Sequence, residues 1–211
     1  MTTTAEEGKP PAETLRRREL TPVGIEVHER IQIWQRDYLA NRSAAVAALA
    51  RLRRGVGKRA GTVPDLLLYT ESDKFAGEDA GNDPTTQENA AHIAFTLYAL
   101  HQQSHRAKQM NRRGYGLGKS LRLLHPGEFG EPLPPIVRRF QALSTSASFD
   151  EVVHHLRGAV QLLRTNGIPL DYGLLADELT WWQHGGASAI PLRWGREFYR
   201  TPKMAPDSAQ S

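Results

Sequence analysis

Two short patterns in the middle of the chain bring together residue types that carry out chemistry in other proteins. The first is a pair of histidines, His101 and His105, whose spacing lets one helix face present two imidazoles to a metal ion. Glutamines occupy positions 102 and 103 between them, and no obvious third ligand accompanies the pair. The pattern therefore favours polar side chains at a helix end over a metal centre.

The second pattern is the glycine-rich run GYGLGKS at residues 114–120, which is similar to the end of a phosphate-binding loop. That loop requires a glycine at position 113, where this chain has Arg113, and a preceding hydrophobic strand, which is missing. Ser104 and Ser120 lie near histidines in the sequence but lack an acid to orient a base. We therefore predict no catalytic residue, no metal and no cofactor, and a chain that is not an enzyme.

The distribution of charge along the chain is a stronger signal than either pattern. No Asp or Glu occurs between Glu88 and Glu128, a segment rich in Arg and Lys, and a second basic cluster lies at residues 51–59. The acids are concentrated between the two clusters, at residues 65–88. Uncompensated cations suit a polyanion, because each Lys or Arg near a phosphate releases a condensed counterion. The candidate nucleic-acid-binding residues of the two clusters are Arg51, Arg53, Arg54, Lys58, Arg59, Arg106, Lys108, Arg112, Arg113, Lys119 and Arg122.

Two alternatives to nucleic-acid binding stay open at this point. A run of cations is often only a solvated face, and basic patches also bind acidic protein surfaces, such as residues 65–88 of another copy. Tyr115 lies inside the second cluster, where its ring either stacks on a base or packs against the protein.

The elements that must position these residues are predicted to be helices. Residues 90–100 are apolar almost all the way round a helix, which indicates a buried helix that leads into the basic run. The clearest amphipathic pattern begins at a capping box, Ser148 to Glu151, and ends at Gly167. Period-2 alternation with β-branched residues persists nowhere, so the predicted fold class is all-α.

Local signals predict where other elements begin. Thr21 followed by Pro22 predicts the start of a first helix, and Asp83 followed by Pro84 predicts the start of the buried helix. The acidic stretch at residues 71–83 is predicted to be a loop.

The chain is predicted to form two small helical bundles joined by a connection rich in proline and glycine. The stretch EFGEPLPP, within residues 126–135, prevents a long regular element. The predicted units are a disordered tail (1–20), an N-terminal bundle with basic loops (21–125), the linker (126–135), a C-terminal bundle (136–200) and a polar tail (201–211).

Composition excludes several classes of protein. The 211 residues include no cysteine, which excludes disulfides, cysteine-ligated metal and thiol catalysis. The net charge of +4 is modest and favours a local basic patch over a uniformly basic surface. No apolar run reaches the roughly 18 residues of a membrane span. We therefore expect a cytoplasmic protein with no membrane partner.

Seven short motifs occur in an order that resembles a known family. They are ALARLRRG at 48–55, LHQQS at 100–104, GLG at 116–118, RRF at 138–140, HLR at 155–157, LDY at 170–172 and LRWGREFY at 192–199. Together they resemble the CasB family, the small subunit of the type I-E CRISPR surveillance complex called Cascade. The likeness covers about residues 25–200.

The resemblance implies a non-catalytic component of an RNA–protein complex with a helical fold. Its expected partners are the backbone and large subunits around the CRISPR RNA, a second copy of the chain, and the displaced DNA strand. Protein contacts to that strand would stabilise the R-loop, whose formation is nearly balanced in base-pairing energy.

Matched to the family motifs, the expected nucleic-acid contacts are Arg51, Arg53 and Arg54, the cations around LHQQS and GLG, and additionally Arg138 and Arg139. Three further arginines, Arg157, Arg193 and Arg196, are assigned provisionally to structure or subunit contacts. The alternative function is a helical scaffold whose basic patches contact acidic protein surfaces.

Overall fold

The computed structural model describes residues 18–77 and 81–200, and all elements in these ranges are helical. The helices are α1 (Pro22–Leu39), α2 (Ser43–Leu52), α3 (Pro64–Thr70), α4 (Asp73–Ala76), α5 (Thr86–Gln102), α6 (Leu117–Arg122), α7 (Pro135–Ser144), α8 (Phe149–Asn166), α9 (Tyr172–Trp181) and α10 (Ala189–Tyr199). The all-α prediction is confirmed. The predicted tails, apart from residues 18–20, lie outside the described residues.

Helix α5 is the centre of the packing. Every residue from Ala90 to Ala99 is buried, as the apolar pattern predicts. Helices α1, α2, α8 and α9 pack around it, and α6, α7 and α10 join the same hydrophobic cluster from the C-terminal half. The division into two bundles at residues 126–135 stays a prediction.

Most helix termini follow the local signals in the sequence. Thr21 caps α1 with Pro22 in its first turn, and Asp171 caps α9 through a bond to the Leu174 amide of 3.1 Å. Helix α8 ends at Gly167, whose left-handed conformation (φ 61°) suits glycine. At the start of α8 the Ser148 cap is present, but the Glu151 carboxylate accepts from the Ala147 amide.

Two predictions in the acidic segment were wrong. Helix α5 begins two residues later than Asp83-Pro84 predicts, because Thr85 and Glu88 form a reciprocal capping box with bonds of 3.0 and 2.7 Å. Residues 71–83 are also not all loop. Ser72 caps the single turn of α4, which the buried side chain of Phe75 fixes against the core.

Buried side-chain hydrogen bonds hold the loop between α5 and α6 in place. The Gln35 side chain bonds both backbone groups of Asn111, at 2.8 and 3.2 Å, and the Asn111 side chain accepts from the Tyr172 amide. The backbone of this loop also pairs directly with the segment before α9. The Leu170 amide donates to the Met110 carbonyl, and the Arg112 amide donates to the Leu170 carbonyl. The basic loop is thus fixed to the start of α9.

A buried carboxylate joins the N-terminal end of the described chain to the last two helices. Glu178 on α9 is 2% exposed and accepts from Trp194 Nε1 at 2.7 Å and from Arg18 at 2.6 Å. Arg18 also contacts Glu197 of α10. Burial raises the pKa of Glu178 to about 7, although the bonds from Trp194 and Arg18 favour ionisation.

No helix in the described part of the chain is long and apolar enough to cross a membrane.

The buried Glu178 makes stability depend on pH. Its folded pKa of about 7 exceeds the ordinary 4.5, so its contribution is complete below about pH 4.5 and is lost as the pH rises through 7. Between about pH 5 and pH 8 we expect the free energy of unfolding to fall about 2 kcal/mol further in the wild type than in Glu178→Gln. Urea unfolding at each pH measures this, with the exposed Glu29→Gln as the control. Parallel pH profiles for the wild type and Glu178→Gln would contradict it.

Candidate nucleic-acid interface

The cations of the two basic clusters fall into three groups once the chain is folded. The first group converges on one surface, where no carboxylate of the described chain forms an ion pair with it. The second surrounds a tyrosine, and the third is bound within the protein. Two further arginines, Arg138 and Arg139, are exposed on α7.

The first group is built on the tight turn that follows α2. Residues 53–55 form a single 3-10 turn, and Gly55 is needed there because a Cβ would lie 2.4 Å from Leu66 Cδ1. The buried His92 ring of α5 lies beneath this turn, with Nε2 3.3 Å from the Gly55 carbonyl oxygen. Burial lowers the pKa of His92, which therefore stays neutral. The turn displays Arg53, with Arg54 and Lys58 exposed beside it.

Cations from two other segments reach the same surface. Burial lowers the pKa of Arg53, and the positive charges of Arg164 and Arg106 shift it in the same direction. Arg157 reaches the turn as well, since a Cβ on Gly57 would lie 3.6 Å from its Nη1. Helix α8 supplies Arg157 and Arg164 seven residues apart, hence on one side.

The loop after α5 completes this surface. The Arg106 guanidinium lies 4.3 Å from the centre of the Tyr38 ring and donates to Asn41 Oδ1 at 3.0 Å. Arg164 Nε donates to the Gln103 carbonyl at 3.2 Å. Lys108 lies against Gly167 at the end of α8. We call this set the basic surface; it consists of Arg53, Arg54, Lys58, Arg106, Lys108, Arg157 and Arg164.

No carboxylate in the described part of the chain forms an ion pair with any member of the basic surface. At its edge, Arg51 donates to the Tyr69 hydroxyl at 2.8 Å. Arg59 lies 3.6 Å from Asp83 in an exposed pair, which contributes little. Crowded like charges cost free energy, so this surface suits an external anion.

Tyr115 is the centre of the second group. Arg112 and Lys119 lie 5.0 and 4.5 Å from the centre of its ring, and Lys119 also donates to the Gly114 carbonyl at 3.0 Å. Burial lowers the pKa of Lys119. Two cations therefore already occupy positions over this half-buried ring, and a base stacking on it would have to compete with them.

The third group consists of two arginines that bond within the protein. Arg113 donates to Asp171 at 2.7 Å and to the Arg18 carbonyl at 2.5 Å. Arg122 is 3% exposed, lies over Phe129, and donates to the carbonyls of His125 and Gly127. The Nη groups of both arginines bond within the fold, so we leave both out of the proposed contact surface.

The glycines of the run 114–120 have a packing role. A Cβ on Gly118 would lie 2.1 Å from the Trp194 carbonyl oxygen, and one on Gly116 would lie 2.5 Å from Glu197 Oε2. The Ser120 hydroxyl donates to the Pro169 carbonyl at 2.8 Å, and the Tyr115 carbonyl oxygen lies 3.2 Å from the same hydroxyl. The run lets α6 approach α10 closely.

The histidine pair also has a structural explanation. His101 is buried and its Nδ1 lies 3.0 Å from the Tyr172 hydroxyl, while His105 Nε2 bonds the Arg164 carbonyl at 2.8 Å. Burial lowers the pKa of His101 to about 3, so it is neutral. Among the described residues no group of three or more His, Asp or Glu is arranged to hold a metal ion.

Sequence reasoning missed one member of the basic surface and placed another elsewhere. Arg164 is an isolated arginine on an amphipathic helix and belongs to neither basic cluster, and the sequence assigns Arg157 provisionally to structure or subunit contacts. The sequence signal that could have identified both arginines is their spacing of seven residues, which places them on one side of α8.

Comparisons with known proteins are consistent with this architecture. The family model of CRISPR-associated protein Cse2 matches residues 48–199. The chain is similar to CasB from Thermobifida fusca, with 39% identity, a TM-score of 0.74 and coverage of 86% of this chain and 100% of that one. It is also similar to a Cse2-family protein from Thermus thermophilus (25% identity, TM-score 0.60, coverage 85% and 99%). A chain of a CRISPR RNA-guided surveillance complex shares the fold at 22% identity (TM-score 0.57, coverage 83% and 94%). A search of curated proteins found no match.

The contacts of Arg113 predict a structural effect. Removing its side chain in Arg113→Ala leaves the buried carboxylate of Asp171 without its counterion, and we expect a loss of about 3 kcal/mol in the free energy of unfolding. The matched change Arg112→Ala, at an exposed neighbour, should cost less than about 1 kcal/mol. Urea unfolding of both variants tests this, and equal losses would contradict the assignment.

Proposed function

The chain belongs to the CRISPR-associated Cse2 family, and we propose that it serves as a non-catalytic small subunit of an RNA-guided Cascade complex. In that role the basic surface binds the sugar–phosphate backbone of the displaced DNA strand and stabilises the R-loop. The partners are the CRISPR RNA–protein assembly, its backbone and large subunits, and a second copy of the chain.

The observation that carries this proposal is that α8 brings cations to both basic segments without a described carboxylate partner. Arg157 lies beside the turn after α2, and Arg164 bonds the Gln103 carbonyl at the start of the loop that holds Arg106. Placing like charges together weakens a fold, and a phosphate backbone relieves that repulsion with the release of counterions. The side chains offer charge and several hydrogen-bond donors, which suit phosphate groups. Contacts of this kind are tolerant of sequence and sensitive to salt.

In the proposed mechanism the subunit holds the displaced strand in place and takes part in no bond-making step. R-loop formation exchanges one duplex for another of similar stability, so a few backbone contacts to the displaced strand are enough to shift the balance. Each contact can be weak, because the rest of the complex holds the strand near the surface at high effective concentration. This is why the function requires no general base or metal.

Removing two charges from the basic surface should reduce the salt dependence of binding. For single-stranded DNA we expect Arg53→Gln/Arg157→Gln to lower the slope of log Kobs against log salt by about 1.4, or about 0.7 for each contact. The control Arg36→Gln/Arg200→Gln removes the same charge from two exposed positions, one on α1 and one just after α10. Fluorescence anisotropy over a salt series measures both slopes.

The same variants should be tested within the assembled complex by the lifetime of the R-loop, which we expect Arg53→Gln/Arg157→Gln to shorten and the control to leave unchanged. If both pairs behave like the wild type in both assays, the nucleic-acid assignment is wrong. Such a result would favour the alternative in which the basic surface contacts acidic protein.

A further inference from the structure

We propose that Arg106, held in place by Tyr38 and Asn41, presents the open face of its guanidinium to an unpaired base of the bound strand. This rests on the proposed function, because it takes the basic surface to bind the displaced strand. It adds one base-stacking contact to the phosphate contacts, and it identifies Tyr38 as the residue that positions Arg106.

The guanidinium of Arg106 lies over an aromatic ring. Its Cζ is 4.3 Å from the centre of the Tyr38 ring, well inside the roughly 6 Å reach of a cation–π contact. Tyr38 is only 3% exposed, whereas Arg106 is an exposed residue. One face of the guanidinium therefore covers the ring, and the opposite face is directed to solvent.

A hydrogen bond fixes how the same guanidinium is turned. Arg106 Nη1 donates to Asn41 Oδ1 at 3.0 Å. Asn41 follows the end of α1 with φ 56°, a left-handed conformation that asparagine adopts more readily than most residues. An arginine carries five N–H donors, so this bond uses only one of them. The side chain is thus able to stack on a base and to donate to a phosphate together.

The loop that carries Arg106 is also held along its backbone. The buried Gln102 side chain donates to the carbonyls of His105 at 2.6 Å and Lys108 at 2.9 Å. The Ser104 amide donates to the Tyr38 hydroxyl at 3.3 Å. The same tyrosine therefore holds both the loop and the guanidinium. Because the group is already ordered, less conformational entropy is lost when a ligand binds.

Arg106 is better placed to stack on a base than Tyr115, the residue for which the sequence left base stacking open. Arg112 and Lys119 already lie over the Tyr115 ring. Bases also stack on the planes of arginine guanidinium groups. Among the members of the basic surface, Arg106 alone lies over an aromatic ring of the described chain.

A stacking contact changes what the basic surface selects. Phosphate contacts respond to charge alone, whereas a base reaches the open face of a guanidinium only when it has left the stack of a duplex. Every base has a π-face, so the contact remains tolerant of sequence. The surface would therefore recognise the unpaired state of the displaced strand as well as its charge.

Two oligonucleotides of equal length and equal phosphate count test the proposal by fluorescence anisotropy: an oligothymidylate and its abasic counterpart. We expect the wild type to bind the oligothymidylate about tenfold more tightly. Arg106→Lys keeps the charge and removes the plane, so it should bind both alike, with the abasic affinity unchanged. The matched control Arg53→Lys should retain the tenfold preference. Equal binding of both by the wild type, or a preference that survives in Arg106→Lys, overturns the proposal.

A second pair of variants tests the positioning role of Tyr38 without changing charge. Tyr38→Phe keeps the ring and should preserve the preference for the oligothymidylate. Tyr38→Leu removes the ring and should abolish the preference while the abasic oligonucleotide binds as before, which also shows that the variant is folded. A full preference in Tyr38→Leu would contradict the role of Tyr38, and Arg106→Lys decides the stacking even if Tyr38→Leu unfolds.

Failure of the stacking and failure of the proposed function give different results. Wild-type protein that binds both oligonucleotides equally well contradicts only the stacking contact and leaves the phosphate contacts in place. Wild-type protein that binds neither oligonucleotide contradicts the nucleic-acid function on which the stacking contact rests.

Discussion

The fold depends on one constraint, which is that α5 is buried on every side. A helix with no solvent-facing stripe cannot be stable alone and must be enclosed by neighbours in all directions. Alanines at 90, 91, 94 and 99 let those neighbours approach closely, and α1, α2, α8 and α9 provide the enclosure. The basic turn after α2 and the loop after α5 both rest on this helix. The positions of the cations on the basic surface are therefore consequences of core packing.

In the folded molecule, buried acids pair with arginines that lie far from them in the sequence. The buried acids Glu178 and Asp171 are matched by Arg18 and Arg113, separated from them by 160 and 58 positions. A run of cations in the sequence thus contains members with opposite roles. Within the second basic cluster Arg106 is exposed at the basic surface, whereas Arg122 is enclosed and bonds carbonyls.

The sequence was sufficient for the helical class, the buried helix and most caps, because those depend on signals within a few residues. The start predicted for α5 was two residues too early. Two capping signals lie two residues apart there, and the helix begins at the second one because Thr85 and Glu88 form reciprocal bonds. The sequence could not combine Arg157 with the turn after α2, since their proximity is created by how α8 packs on α5. Burial of Arg122 likewise depends on the 125–129 segment folding back over it. Local rules carry no information about such contacts.

The basic surface exists only in the folded chain, because its members come from segments about fifty residues apart that unfolding separates. Whatever anion binds it therefore binds the native state alone, and binding adds RT ln(1 + [L]/Kd) to the resistance against unfolding. A subunit bound to a strand would then resist proteases longer than a subunit free in the cell. Binding at the basic surface would then affect how many subunits persist, because unassembled copies would be degraded faster than bound ones.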